Sequence, residues 1–176
     1  MKKIFIAASV AALALTSCRE NDSMVESSNF GMNAVSAADY NVSGLPVTTV
    51  SGNITSNTTW SGVIELDGIV RVKDGATLTI QPGTFIKAKP RTDGSATGVL
   101  VITKTGKINA VGTATQPIVF TSYNLLDGNN TTVASPKDFG GVILLGDAPV
   151  NTGVNTNLIE GIDVGQTNID EFYYGG

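Results

Sequence analysis

The stretch from Gly75 to Ser122 constrains the fold most, because it consists of short apolar strands separated by closely spaced turn residues. It reads GATLTIQPGTFIKAK, then a polar interruption, then GVLVITKTGKINAVGTATQPIVFTS. Leu78-Thr79-Ile80 resembles Leu100-Val101-Ile102, and Ile86 resembles Ile108, each 22 positions further along the chain. Strands this short cannot bury an apolar face alone, so the repeat indicates the stacked coils of a solenoid.

Glycine-containing pairs mark the corners of the predicted coils. Asp67-Gly68, Asp74-Gly75 and Pro82-Gly83 each follow a short apolar run. They supply the positive φ or the preset φ that a tight corner needs. Alternation along the strands predicts that Leu78 and Ile80 point into the core. The outward positions of this strand and its corner are then Thr77, Thr79 and Gln81.

Three strands follow one another around the second predicted coil. Their apolar residues are Leu100 and Ile102, Ile108 and Ala110, and Ile118 and Phe120. Three sides and about 20 residues per turn predict an all-β fold, a right-handed parallel β-helix. We place this domain at residues 46–176, with the single Trp60 as a core plug or cap at the first coil.

The N-terminus predicts export and lipid anchoring. Lys2 and Lys3 precede an apolar run of twelve residues, which is shorter than the roughly 20 residues of a membrane-spanning helix and suits a secretory signal at residues 1–17. The sequence Leu-Thr-Ser-Cys that ends at Cys18 resembles the lipobox of bacterial lipoproteins, which implies a lipid on this only cysteine of the chain. Residues 18–45, rich in Ser, Asn and Ala, read as a flexible tether.

The residues after Cys18 indicate the membrane to which the lipoprotein is sorted. Arg19, rather than Asp, follows the cysteine, and by analogy with lipoprotein sorting this argues against retention in the inner membrane. The run Arg19–Asp22 resembles the export tags of Bacteroidetes surface lipoproteins. We therefore expect an outer-membrane lipoprotein that can face the cell surface.

Charge and residue types limit the function. Loss of Lys2 and Lys3 with the signal leaves 9 basic against 15 acidic residues, a net charge of −6, and no basic cluster that would indicate nucleic-acid binding. The chain contains no histidine, and the resemblance to a lipobox assigns Cys18 to the lipid. Histidine-dependent triads and histidine-ligated metal sites are therefore excluded, and we expect no cofactor.

The β-helical stretch resembles a known group of proteins. GATLTIQPGTFIKA, GTATQPIVFTS and Phe139-Gly140-Gly141 are similar to the N-terminal part of large β-helix lipoproteins of Bacteroidetes, whose function is unknown. The resemblance implies a fold and a location, and no reaction. Such proteins are usually longer, so we expect further coils after Gly176 and a domain truncated at its C-terminus.

Several residue sets are candidates for chemistry. Arg71 with Lys73, and Lys87 with Lys89, fall at alternate positions that could bind uronate carboxylates, or they form a solvated face balanced by acidic neighbours. Asp127-Gly128-Asn129-Asn130 is either a turn or a partial calcium loop. The outward threonines, Thr77, Thr79 and Thr103, are either a short ice- or glycan-binding row or ordinary exposed strand residues. The acids Asp163, Asp170 and Glu171 are too dispersed for a paired-carboxylate site.

Two functional hypotheses follow from these residues. The first is a non-catalytic lipoprotein, anchored through Cys18, whose β-helix binds a glycan or a protein. The alternative is the N-terminal part of a carbohydrate-active β-helix enzyme, a polysaccharide lyase or hydrolase, with its active site on later coils.

Overall fold

The computed structural model describes residues 40–91, 97–151, 157–160 and 172–176. The predicted signal peptide, Cys18 and most of the predicted tether lie outside these residues. Within the described part of the chain, no helix is long and apolar enough to cross a membrane. The strands are β1 (Val47–Ile54), β2 (Thr58–Trp60), β3 (Val63–Val72), β4 (Thr77–Ile80), β5 (Phe85–Ala88), β6 (Val99–Ile102), β7 (Lys107–Ala110), β8 (Val119–Thr121), β9 (Gly141–Leu144), β10 (Asn157–Leu158) and β11 (Tyr173–Tyr174).

The strands stack in parallel into three faces around one axis. Strands β1 and β3 each span two faces. Face A contains the first halves of β1 and β3, together with β5 and β8, and face B contains the second halves of β1 and β3, together with β6 and β9. Face C contains β2, β4 and β7. The chain visits faces A, B and C in turn, which confirms the predicted three-sided parallel β-helix.

Glycines with positive φ form the corner between faces A and B. β3 pairs with β5 up to Leu66 and with β6 from Ile69 onward, so the strand turns the corner between these residues. Gly68, at this corner, has a φ of 74°, and Gly52 at the equivalent corner of β1 has a φ of 69°. Only glycine adopts such angles at little cost, which explains the predicted Asp67-Gly68 corner.

The core lies along the axis and is built from the inward residues of all three faces. Leu66, Val70, Leu78 and Ile86 are fully buried in it, and Trp60 packs with them as predicted. At the last coil the inward positions become exposed. The side chain of Leu144, which continues the inward column of face B, is 65% exposed.

The predicted 22-residue relation between Leu78 and Leu100 is wrong. Leu78 lies on face C and pairs with Thr58 and Ile108, whereas Leu100 lies on face B. Ile86 lies on face A and Ile108 lies on face C, so these two residues do not correspond either. Apolar residues at alternate positions occur on every face, so sequence similarity does not reveal which strands stack.

Loops of unequal length change the number of residues per coil. Val63 pairs with Phe85, 22 positions on, but Ile69 pairs with Val99, 30 positions on. The polar insertion that ends at Gly98 lies between β5 and β6 and accounts for the longer step. Coil length therefore varies, and a single repeat period does not describe this helix.

The loop from Ser122 to Gly140 is fixed by the buried carboxylate of Asp138. This carboxylate accepts hydrogen bonds from the Ser135 backbone N–H at 2.8 Å, the Ser122 hydroxyl at 2.7 Å and the Asn124 amide at 3.1 Å. These bonds, the one from Ser135 first, lower the pKa of Asp138 against the opposing effect of desolvation. The anion is therefore stabilised by neutral donors.

Candidate binding face

The outer surface of face A is largely covered by the chain itself. Tyr40 packs edge-on against Phe85, with the ring centroids 5.1 Å apart, and Val42 packs with Leu126 over Val63. Residues 40–45, which the sequence assigned to the tether, thus lie against the β-helix. These contacts cover Val63 and Phe85 of the outer apolar column of face A, whereas Val47 in the same column remains half exposed.

The outer surface of face B is covered in a similar way. Val101 points outward on β6, yet it is fully buried, because Leu145 and Phe172 pack over it. The ammonium group of Lys104 bonds the Gly175 carbonyl oxygen and lies 2.8 Å from an Asp147 carboxylate oxygen. The described C-terminal residues therefore form a second layer on this face.

Face C carries a polar and open outer surface. Its central column runs across the three coils through Thr59, Thr79 and Asn109, which pair in register, and Thr77 pairs with Lys107 beside it. Thr59, Asn109 and Lys107 are exposed, and the two threonines of β4 are half-buried. No apolar cluster of the described residues covers this surface.

The geometry of face C suits an extended ligand. Neighbouring strands lie about 4.8 Å apart, and alternate residues along a strand lie about 6.6 Å apart, so the hydroxyl and amide groups form a regular grid. Both β4 threonines are outward, as predicted from alternation. Buried Leu78 and Ile80 beneath them hold β4 in place.

Thr103 does not belong to this surface, so its prediction as an outward residue is wrong. It lies at the corner after β6, is buried, and donates its hydroxyl to the Val72 carbonyl oxygen at 2.9 Å. Strand alternation ends at a corner, where the chain turns. The hydroxyl there stabilises the stacking of two coils.

The basic residues form no common row. Arg71 lies on face B, with its guanidinium carbon 5.0 Å from the centre of the Phe172 ring, whereas Lys87 lies on face A. Lys89 and Arg91 pair with Asp67, and the bond from Lys89, followed by the influence of Arg91, lowers the pKa of Asp67. This pairing supports the interpretation of a charge-balanced surface.

Asp127 forms a turn with its own loop. Its carboxylate accepts a hydrogen bond from the Thr132 hydroxyl at 2.7 Å and another from the Asn129 backbone N–H at 2.8 Å. These two bonds, in that order, lower the pKa of Asp127. The described residues hold no group of three or more acidic or cysteine side chains suited to a metal. Asp163, Asp170 and Glu171 lie outside the described residues.

The three parallel faces agree with a family match. Residues 52–176 match the model of a pectate-lyase like beta helix domain. The chain belongs to this family. Neither the curated proteins nor the solved structures gave a significant match.

Membership of the pectate-lyase like family accounts for the stacked coils, and fold alone does not assign a reaction. Among the described carboxylates on the outer faces, Asp67 is engaged by two cations and Asp127 by its own turn. Face C, by contrast, presents hydroxyl, amide and ammonium groups on a rigid support. These groups can donate hydrogen bonds, and the hydroxyl and amide groups can also accept them.

Proposed function

We propose that this chain is an anchored lipoprotein whose β-helix binds a glycan on face C. The observation that carries the proposal is that face C is polar and open, whereas layers of the chain cover most of the outer apolar residues of the other two faces. Glycan hydroxyl groups both donate and accept hydrogen bonds, so they match a grid of threonine and asparagine side chains. The buried side chains of Leu78 and Ile80 hold β4 at the centre of this grid, and a rigid support lowers the entropy cost of binding.

A matched pair of variants tests the binding face. Thr79→Ala/Asn109→Ala removes two polar groups from face C, and Thr55→Ala/Asn130→Ala removes the same groups from exposed positions elsewhere. A glycan array probed with the purified full chain identifies the ligand. We expect the first variant to bind it about tenfold more weakly, because two hydrogen bonds are lost, and the second to bind like the unsubstituted chain. Equal binding by both variants would contradict the proposal.

The anchor is proposed from the lipobox-like residues. Lipid on Cys18 would anchor the domain to a membrane, and Arg19 in place of Asp after the cysteine favours the outer membrane. The resemblance of Arg19–Asp22 to Bacteroidetes export tags supports a cell-surface position. Cys18→Ala should abolish incorporation of labelled lipid, and Ser17→Ala, which keeps a small residue before the cysteine, should retain it. Labelling of the Cys18→Ala variant would refute the anchor. Protease accessibility on intact cells tests the surface position.

Family membership supports a second candidate, a carbohydrate-active enzyme with its reacting groups on further coils. The full-length protein would then cleave a uronate polymer. Release of unsaturated or reducing ends from polygalacturonate, abolished by Asp→Ala changes, would favour the enzyme over the binding-only proposal. Binding without any release of ends would favour the binding-only proposal, and the face C variants then locate the site.

A further inference from the structure

A pocket of about 210 Å³ opens on the outside of face A, away from face C. Its floor contains Glu65 of β3 and Lys87 of β5, and residues 42–45 form one wall. Pro90 and Tyr123 line it as well. Pockets for drug-sized ligands measure about 300 to 1,000 Å³, so this one accommodates a single small ring.

The floor presents two opposite charges side by side. Glu65 and Lys87 are direct partners in the parallel register, and both side chains are half-buried. The Glu65 carboxylate accepts one hydrogen bond, from the Thr49 hydroxyl at 3.3 Å. The Lys87 ammonium donates to the Leu125 carbonyl oxygen at 2.8 Å. A carboxylate offers about four acceptor sites and an ammonium three donors, so both groups retain capacity for a ligand.

Opposing effects act on the charge of the Lys87 ammonium group. Burial lowers the pKa of this ammonium, while the charges of Asp127 and Glu65 oppose that effect. Asp127 is already engaged by its own turn. Glu65 is therefore the acidic partner that shares the pocket with Lys87.

The rim of the pocket is apolar and exposed. Leu45 is 50% exposed and Val47 is 52% exposed, and both line the opening. Exposed apolar carbons beside a polar floor suit a ligand that is apolar on one side and hydroxylated on the other. A pyranose ring has this character, with C–H groups on its faces and hydroxyl groups around its edge.

We propose that this pocket binds a neutral pyranose unit of a glycan, with hydroxyl groups on Glu65 and Lys87 and ring carbons against Leu45 and Val47. Neighbouring hydroxyls donate to the carboxylate and accept from the ammonium, so they satisfy both groups at once. A uronate would be attracted by Lys87 and repelled by Glu65. An amino sugar would be attracted by Glu65 and repelled by Lys87. The pocket therefore selects neutral sugars, and this site does not depend on the proposed function of face C.

Titration of the purified full chain with methyl glycosides of glucose, mannose and galactose, followed by NMR, tests the site. Glucuronate and glucosamine serve as the charged probes. We expect at least one neutral glycoside to bind with a dissociation constant in the millimolar range, and neither charged sugar to bind more tightly. Absence of binding by all three glycosides, or tighter binding of a charged sugar, would overturn the proposal.

Two variants test whether the sugar binds in this pocket. Glu65→Gln keeps the shape of the side chain but removes its charge, so we expect about tenfold weaker binding. Leu45→Ser, at an exposed position that leaves the fold intact, should weaken binding severalfold, and its control Val133→Ser, at an exposed position outside the pocket, should not. If binding were lost in the Thr79→Ala/Asn109→Ala variant and retained in Glu65→Gln, the sugar would lie on face C and the pocket proposal would be wrong.

Discussion

Shortening the side chain of Ile86 tests the stacked core quantitatively. Ile86 is fully buried on face A, between its register partners Ile64 and Phe120. Ile86→Ala removes three carbon groups, each worth about 0.8 kcal/mol on burial. That gives about 2.4 kcal/mol, and the cavity left behind raises the expected cost to about 3–4 kcal/mol of the free energy of unfolding.

A graded series separates burial from other effects. Ile86→Val removes one carbon and should cost about 1 kcal/mol. Val111→Ala, at a position 71% exposed, should change the free energy of unfolding by less than about 0.5 kcal/mol. For a domain of this size, we expect the Ile86→Ala variant to melt roughly 10 °C lower than the unsubstituted chain.

Urea unfolding followed by Trp60 fluorescence and by circular dichroism measures these values. Trp60 is the single tryptophan and lies in the same core cluster as Ile86, so it reports on this region. Coils of a solenoid can open separately, so the two signals must coincide before one free energy is assigned. A cost below about 0.5 kcal/mol for Ile86→Ala, equal to that of Val111→Ala, would refute the stacked core at this position.

Three further predictions concern the corners and the long loop. Thr103→Val removes the buried hydroxyl that bonds the Val72 carbonyl oxygen and should lower the free energy of unfolding by about 1 kcal/mol in urea titrations. The pKa of Asp138 is lower when folded, so its ionisation stabilises the fold above about pH 4, and this stabilisation disappears as the pH falls through the folded value. In urea titrations at pH 7 and pH 3, the free energy of unfolding should therefore fall less for Asp138→Asn than for the unsubstituted chain. An equal fall in both proteins would contradict this role. A Cβ at Gly106 would lie 2.1 Å from the Val72 carbonyl oxygen, whereas one at Gly146 would meet nothing within 4 Å, so thermal melts should show strong destabilisation by Gly106→Ala and almost none by Gly146→Ala.

Local sequence predicted the strand alternation and the glycine corners of the coils. The strand alternation that buries Leu78 and Ile80, and the glycine corner at Gly68, follow from the period of β-structure and the freedom of glycine at positive φ. These are properties of a few adjacent residues. Thr103 departs from the alternation because it stands at a corner.

Which strands stack and which surfaces are covered could be learned only from the tertiary structure. Leu78 and Leu100 have similar neighbours in sequence but lie on different faces, because loops of different length set which strands pair. Nothing local indicates that Phe172 covers Val101 or that Val42 packs with Leu126. The sequence marked Lys87 only as one of two alternating basic residues, and its position beside Glu65 on the floor of the pocket follows from the strand register.

Short alternating strands and positive-φ corners limit the chain to stacked coils, so local residues are enough to specify a parallel β-helix. Which surfaces remain open depends on contacts between distant parts of the chain. Coverage of faces A and B depends on segments distant in sequence, and their packing leaves open the polar grid of face C and the pocket beside Lys87. Long-range packing is set by the combined fit of many side chains, so no local pattern encodes it.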